Sequence, residues 1–92
     1  MDAKQAAKIA KAYVATMLED ENITNLGLEE IDYNNGFWDV TVGFSRPWNT
    51  YRNPLAAITG AGDSTIRRAY RIIKIDNETE NVLSMKRRDA EQ

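Results

Sequence analysis

The dipeptide Asn35-Gly36 constrains this chain more than any other feature of its sequence. Both central residues of a type I′ turn need a positive φ angle, which asparagine and glycine adopt most readily. Beyond this pair, apolar residues alternate with other residues, as in a strand with one buried face; they are Trp38, Val40, Val42 and Phe44. The sequence therefore predicts an antiparallel hairpin with strands at 26–33 and 37–44.

The two-residue turn also sets the register of the hairpin. Counting outward from the turn pairs Tyr33 with Trp38, and it places Tyr33 and Ile31 on the buried face. Closer to the N-terminus, the leucines of the first strand fall out of phase with this face. Because one extra residue restores the alternation, we predict a β-bulge near Glu29-Glu30.

Residues 1–22 are predicted to form a helix. Asp2 is a typical N-cap residue, and Gln5 three positions later completes a capping-box pattern. Apolar side chains recur every three or four residues and form one stripe: Ala6, Ile9, Ala10, Tyr13, Val14, Met17 and Leu18. The opposite face carries Lys4, Lys8 and Lys11. We expect the stripe to pack on the sheet.

Two more strands complete the predicted fold. Residues 66–76 are rich in isoleucine, a polar turn follows, and 82–87 form a short last strand. Pro47 and Pro54 interrupt residues 45–65, which we expect to form a long loop. The predicted fold class is α+β, with one N-terminal helix on a curved four-stranded antiparallel sheet. The predicted core consists of Ile9, Tyr13, Val14, Met17, Ile31, Trp38, Val40, Val42 and Phe44.

Composition narrows the chemistry available to the chain. Its 92 residues are enough for a single domain. With no cysteine and no histidine, it lacks disulfides, thiolate nucleophiles, the usual general base and the commonest metal ligand. We therefore expect no enzymatic activity, no cofactor and no metal. No apolar run reaches the roughly 18 residues of a membrane span, and the N-terminus has no signal-peptide pattern, so we expect a cytoplasmic protein without a membrane partner.

The net charge of −2 conceals two segregated blocks. Residues 19–39 contain seven acidic residues and no basic one, whereas residues 45–74 contain six basic residues and one acidic residue, Asp63. Segregated charge can steer a partner or dock one copy of a chain onto another, which makes a homodimer one expectation. The alternative is that the two blocks lie side by side and neutralise each other across neighbouring strands.

The predicted loop holds the first group of candidate binding residues. Its charged and aromatic members belong to the residue types that dominate binding hot spots; they are Arg46, Trp48, Tyr51 and Arg52. On this interpretation residues 45–65 form the functional surface, and the partner is another protein. The alternative is that Trp48 folds back and caps the open edge of a small core.

Three arginines of the third strand form the second group: Arg67, Arg68 and Arg71. Together with aromatic rings, they could follow a phosphate backbone while the rings stack on bases. The alternative is a solvated sheet face that balances Glu29 and Glu30. A pair of acids that face each other across the hairpin, Asp32 and Asp39, shows no sign of a desolvated pocket, so general acid–base chemistry is not expected there.

Three segments together resemble a known family. They are the alanine-rich AAKIAK of the helix (6–11), the strand GFWDVTV (36–42) and the hairpin IDNETENVLS (75–84). This chain resembles the PepSY-like domains and, more loosely, the cystatin-like α+β scaffold. It departs from the family motif at Glu80, where the family has a turn glycine. The resemblance implies this fold and a non-catalytic role in binding or inhibiting proteins.

The sequence thus predicts a non-catalytic protein-binding or accessory module, such as an inhibitor or an immunity-type protein. A second hypothesis is a nucleic-acid-contacting accessory factor that uses the basic residues 46–74. A third, less favoured, is a small enzyme with a pocket between the helix and the sheet.

Overall fold

The computed structural model describes the backbone of residues 1–50 and 66–88 and, within these ranges, all side chains except those of 48–50, 66 and 67. One helix packs on a four-stranded antiparallel sheet whose strands are arranged in chain order, which confirms the predicted fold class. The elements are α1 (Ala3–Met17), a 3₁₀ turn (Glu19–Glu21), β1 (Thr24–Asn34), β2 (Phe37–Thr50), β3 (Ile66–Asp76) and β4 (Val82–Arg87).

The helix begins as predicted but ends earlier. The Gln5 backbone N–H donates a hydrogen bond to Oδ1 of Asp2 at 2.8 Å, which is the N-cap contact. The Gln5 side chain instead donates to Glu80 at 3.4 Å and ties the start of α1 to the β3–β4 turn. The predicted extension to residue 22 is wrong, because α1 ends at Met17 and the 3₁₀ turn follows. That turn is entirely acidic, and negative charge opposes the helix dipole at a C-terminus.

The face of α1 that packs on the sheet consists largely of small side chains. The buried residues along the centre of this face recur every four positions: Ala6, Ala10, Val14 and Leu18. Ile9 and Tyr13 form the adjacent row and are half-buried against the core. Met17 continues that row into the last turn of the helix but is 54% exposed, so its predicted place in the core is wrong. The flank of a helix is covered only where the sheet extends beneath it.

The β1–β2 hairpin has the predicted register. Tyr33 pairs with Trp38, and the predicted bulge is present as a register shift between Leu28 and Glu30. Tyr33 was expected on a buried face, but it is 53% exposed. It lies on the edge strand and packs its ring against Trp38, with the ring centroids 4.7 Å apart. Trp38 is half-buried, and its indole N–H donates to Asn77 at 2.9 Å.

The core lies between α1 and the two central strands. Of the predicted core residues, Val14, Val40, Val42 and Phe44 are buried, while Ile9, Tyr13, Ile31 and Trp38 pack against them half-buried. Ile73 and Ile75 are fully buried on β3, although the predicted core did not include them. They face the same side of the sheet as Val40 and Trp38, their partners in the β2–β3 ladder.

Strand β2 continues beyond its predicted end at residue 44. The expectation of a loop is wrong for residues 45–50, because Ser45 pairs with Arg68 and Thr50 pairs with Ile66. Pro47 lies between these two pairings, where the register is interrupted, so its missing N–H does not break a regular ladder. The rest of the predicted loop lies outside the described residues. The predicted bounds of β3 and β4 match the observed strands.

No helix in the described ranges is long and apolar enough to cross a membrane.

Gly36 gives a direct test of the hairpin turn. Asn35 has a φ of 53° and Gly36 a φ of 84°, as the sequence predicts. We expect Gly36→Val to lower the free energy of unfolding by about 1–2 kcal/mol, because a β-branched residue resists a left-handed backbone. A Cβ at this position meets no heavy atom within 4 Å, so the loss comes from backbone strain. Urea denaturation measures it, with Gly36→Asn as the control. Equal midpoints for Gly36→Val and wild type would contradict the turn assignment.

Candidate binding surface

The structure describes three of the seven predicted binding residues with their side chains. Arg46 lies on β2, and Arg68 and Arg71 lie on β3. Trp48 and Arg67 belong to the backbones of β2 and β3, but their side chains are outside the described part of the chain, as are Tyr51 and Arg52 entirely.

The three described arginines do not share one face of the sheet. Successive side chains of a strand point to opposite faces, so Arg68 and Arg71, three residues apart, are separated. Arg71 lies opposite Val42 in the ladder and is on the face that carries α1. Arg68 lies opposite Ser45 and is on the other face. The two residues therefore cannot act as one continuous track on a single surface.

Arg46 and Arg71 come together over the ring of Phe44. The guanidinium carbon of Arg46 is 5.8 Å from the ring centroid, and that of Arg71 is 5.4 Å from it. Phe44 itself is 0% exposed and is among the largest fully buried side chains. Cations at such distances are attracted to the face of an aromatic ring. The core thus provides a rigid base for two guanidinium groups.

Polar contacts fix both guanidinium groups further. An Nη1–H of Arg71 donates to the carbonyl oxygen of Tyr70 at 3.0 Å. Nη1 of Arg46 lies 3.5 Å from Oε1 of Glu21, in the 3₁₀ turn after α1. We call the cluster of Glu21, Phe44, Arg46 and Arg71 the arginine end. It lies on the helix side of the sheet, near the C-terminal end of α1.

Positive charge is concentrated at the arginine end. Burial lowers the pKa of Arg71 below its ordinary value, and the nearby Arg46 and Arg87 lower it further. Arg87 is the residue directly opposite Arg71 in the β3–β4 ladder. The carboxylate of Glu21 has the opposite effect and raises the pKa of Arg71. Arginine still keeps its proton at neutral pH, so the site holds half-buried guanidinium groups close together.

Arg68 makes a different contact on the far face of the sheet. Its Nη2 lies 3.2 Å from Oε2 of Glu29, directly above Gly43. A Cβ at position 43 would lie 2.7 Å from that nitrogen and 2.9 Å from that oxygen. Glycine at this position therefore leaves room for the ion pair to cross β2.

Among the described residues, three ion pairs join the acidic block (19–39) to the basic block (45–74), and a fourth joins the acidic block to Arg88, after β4. The pairs are Arg46–Glu21 at 3.5 Å, Arg68–Glu29 at 3.2 Å, Lys74–Asp39 at 3.4 Å and Arg88–Glu30 at 3.4 Å. Lys74–Asp39 joins the neighbouring strands β2 and β3, as the neutralising alternative expects, whereas Arg68–Glu29 crosses β2 and Arg88–Glu30 spans the face from one edge of the sheet to the other. Asp32 and Asp39 lie directly opposite each other on β1 and β2. Within the described ranges, no three potential ligands come together as a metal site would need.

Two members of the arginine end were absent from the predicted site. Phe44 was assigned only to the core, and Glu21 only to the end of the helix and to the acidic block of residues 19–39. The signal for Phe44 is the strand period, because residues 44 and 46 share one face of β2. The contact of Glu21 with Arg46 joins residues 25 positions apart in sequence and has no local signal.

No protein-family model, no curated protein and no solved structure matches this chain. The resemblance to PepSY-like domains therefore rests on the three sequence segments alone.

Proposed function

We propose that this protein is a non-catalytic protein-binding or accessory module, such as an inhibitor or an immunity-type protein, and that it binds its partner through the arginine end. The observation that carries the proposal is the placement of Arg46 and Arg71 over the buried ring of Phe44. It extends the sequence-based prediction that the arginines of this region bind a protein.

A fixed guanidinium group is well suited to recognition. Association costs free energy for every flexible side chain that becomes ordered at an interface. Arg71 is already held by the ring and by the carbonyl of Tyr70, so less of this cost remains when a partner binds. Arginine is also one of the residues most often found at binding hot spots.

The chemistry of the site indicates the partner's contact groups. A guanidinium offers a planar fork of donors that matches a carboxylate in a bidentate arrangement, and its flat face stacks on aromatic rings. We therefore propose a protein partner that presents acidic or planar side chains. We place the interaction in the cytoplasm, in keeping with a chain that has no cysteine and so needs no oxidising compartment.

The alternative functions have less support. A nucleic-acid factor would need basic residues along one continuous path, yet Arg68 and Arg71 lie on opposite faces. Lys74 and Arg68 are also engaged with acids. An enzyme with a pocket between helix and sheet is disfavoured by the fully buried side chains that fill this space in the described part of the chain.

The proposal predicts a position-specific loss of binding. The full chain, immobilised, is used to capture its partner from a lysate of the native cell, and the bound protein is quantified by mass spectrometry. We expect Arg71→Ala to reduce capture at least about tenfold, as at a hot spot.

Arg68→Ala is the matched control, because it removes the same side chain from the same strand on the opposite face. We expect it to capture the partner at the wild-type level, with both variants folded by circular dichroism. Equal capture by Arg71→Ala and wild type, or an equal loss with Arg68→Ala, would refute the assignment of the arginine end.

A further inference from the structure

The sheet face that points away from α1 has an apolar centre, and we call it the open face. The outward residues of an antiparallel sheet with one solvated face are usually polar. Here the two central strands instead place Phe37, Tyr70 and Ile72 on this face, where they are half-buried. Thr41, between them, is 5% exposed although no helix covers it. Thr41 and Ile72 form the floor of a shallow trough between the two edge strands. Beside it, Lys74 lies 5.2 Å from the ring centroid of Phe37, and Arg88 lies 4.5 Å from that of Tyr70.

The charged residues around this strip are divided by sign. Among those that line the trough, the residues of β1 and β2 are acidic, and those of β3, β4 and the position after β4 are basic. The acidic half consists of Glu30, Asp32 and Asp39, and the basic half of Lys74, Lys86 and Arg88. The open face is therefore neutral as a whole but strongly bipolar across the strands.

Internal ion pairs engage some of these charges and not others. Glu30 pairs with Arg88, and Asp39 pairs with Lys74. Asp32 on β1 and Lys86 on β4 form no ion pair within the described residues, and both are exposed. One acidic and one basic side chain thus remain at opposite edges of the same face.

We infer that the open face docks onto the open face of a second copy, around a twofold axis that runs parallel to the strands. This axis places β1 of one copy over β4 of the other, and β2 over β3. Every acidic half then meets a basic half, twice in the dimer, as an isologous interface requires. A twofold axis across the strands would instead set β1 on β1, acid against acid. The charge pattern therefore selects one of the two face-to-face arrangements.

The area of the open face sets the strength of this contact. Strands about 4.8 Å apart with a rise of about 3.4 Å per residue give a footprint on the order of 500–700 Å² per copy. A standard stable interface buries about 800 Å² per partner, so we expect a weak, reversible dimer. An apolar centre with a charged rim matches the usual anatomy of such interfaces. The arginine end lies on the other side of the sheet, so this inference is independent of the proposed function.

Charge exchange tests the dimer and its geometry together. Sedimentation equilibrium of the full chain from about 1 to about 500 µM should show a monomer–dimer equilibrium that weakens as salt is raised. Asp32→Lys and Lys86→Glu should each weaken self-association at least about tenfold, because each places a charge on a half of the face that then meets the half of like sign on the partner copy. Mixing the two variants should restore association, since the half that carries the new lysine then meets the half that carries the new glutamate, and the other two halves are wild type.

Two control variants carry the same charge changes outside the open face. They are Asp20→Lys in the 3₁₀ turn and Lys8→Glu on the exposed side of α1, and both should dimerise as wild type does. A chain that stays monomeric over this concentration range overturns the inference. The inference is also overturned if the chain dimerises but neither Asp32→Lys nor Lys86→Glu weakens the dimer. It is overturned as well if both variants weaken the dimer but do not associate when they are mixed.

Discussion

Replacing Phe44 by alanine should lower the free energy of unfolding by about 3–5 kcal/mol, a large share of the stability of a domain of this size. Phe44 is fully buried on β2, and it packs within the core that α1 shares with β2 and β3. Its removal leaves a cavity at the end of the core and takes away the ring beneath Arg46 and Arg71. Urea denaturation followed by circular dichroism measures the loss.

Leu83→Ala is the control for this substitution. Leu83 is a large apolar residue of the sheet, but it is 52% exposed. Its truncation should change stability by no more than about 0.5 kcal/mol. If Phe44→Ala loses no more stability than Leu83→Ala, the core described for this fold is misplaced.

Replacing Ala10 by leucine should destabilise the protein by about 1–3 kcal/mol, because overpacking forces the helix away from the sheet. Ala10 is at the centre of the buried row of α1 and has no exposed surface. A larger side chain there finds no room between the helix and β2 or β3. Thermal and urea denaturation both report the change.

Ala12→Leu is the control that distinguishes an effect on core packing from an effect on helix propensity. Ala12 lies on the exposed side of the same helix, so the same substitution should leave stability within about 0.5 kcal/mol of wild type. Equal effects at positions 10 and 12 would contradict the close approach of α1 to the sheet.

The features that follow from short-range chemistry could be predicted from the sequence. Asn35-Gly36 specifies its turn through φ angles that few residues adopt, and the turn then fixes the register of β1 and β2. The N-cap at Asp2 depends on a side chain and an N–H three residues away. The bulge in β1 follows from the phase of its apolar residues.

The features that depend on distant parts of the chain were predicted less well. Met17 and Tyr33 follow the apolar pattern, but their exposure is set by where the sheet and the helix end. Pro47 is a local signal against a strand, yet pairing of β2 with β3 on either side of it carries the strand to Thr50. Burial at the margins of a small domain is a tertiary property.

Part of the candidate site could be predicted from the sequence. The separation of Arg68 from Arg71 follows from the two-residue period of a strand, and so does the shared face of Phe44 and Arg46. The grouping of Arg46 with Arg71 needs the β2–β3 register, which no short motif specifies. The ion pairs of the acidic and basic blocks depend on the same register.

We propose that this module binds another protein and not a nucleic acid. One lysate of the native cell is divided, one half is treated with nuclease, and each half is passed over the immobilised full chain. We expect the same protein to be retained from both halves in equal amount. Loss of the bound material from the nuclease-treated half would contradict it and would favour the nucleic-acid-contacting function instead.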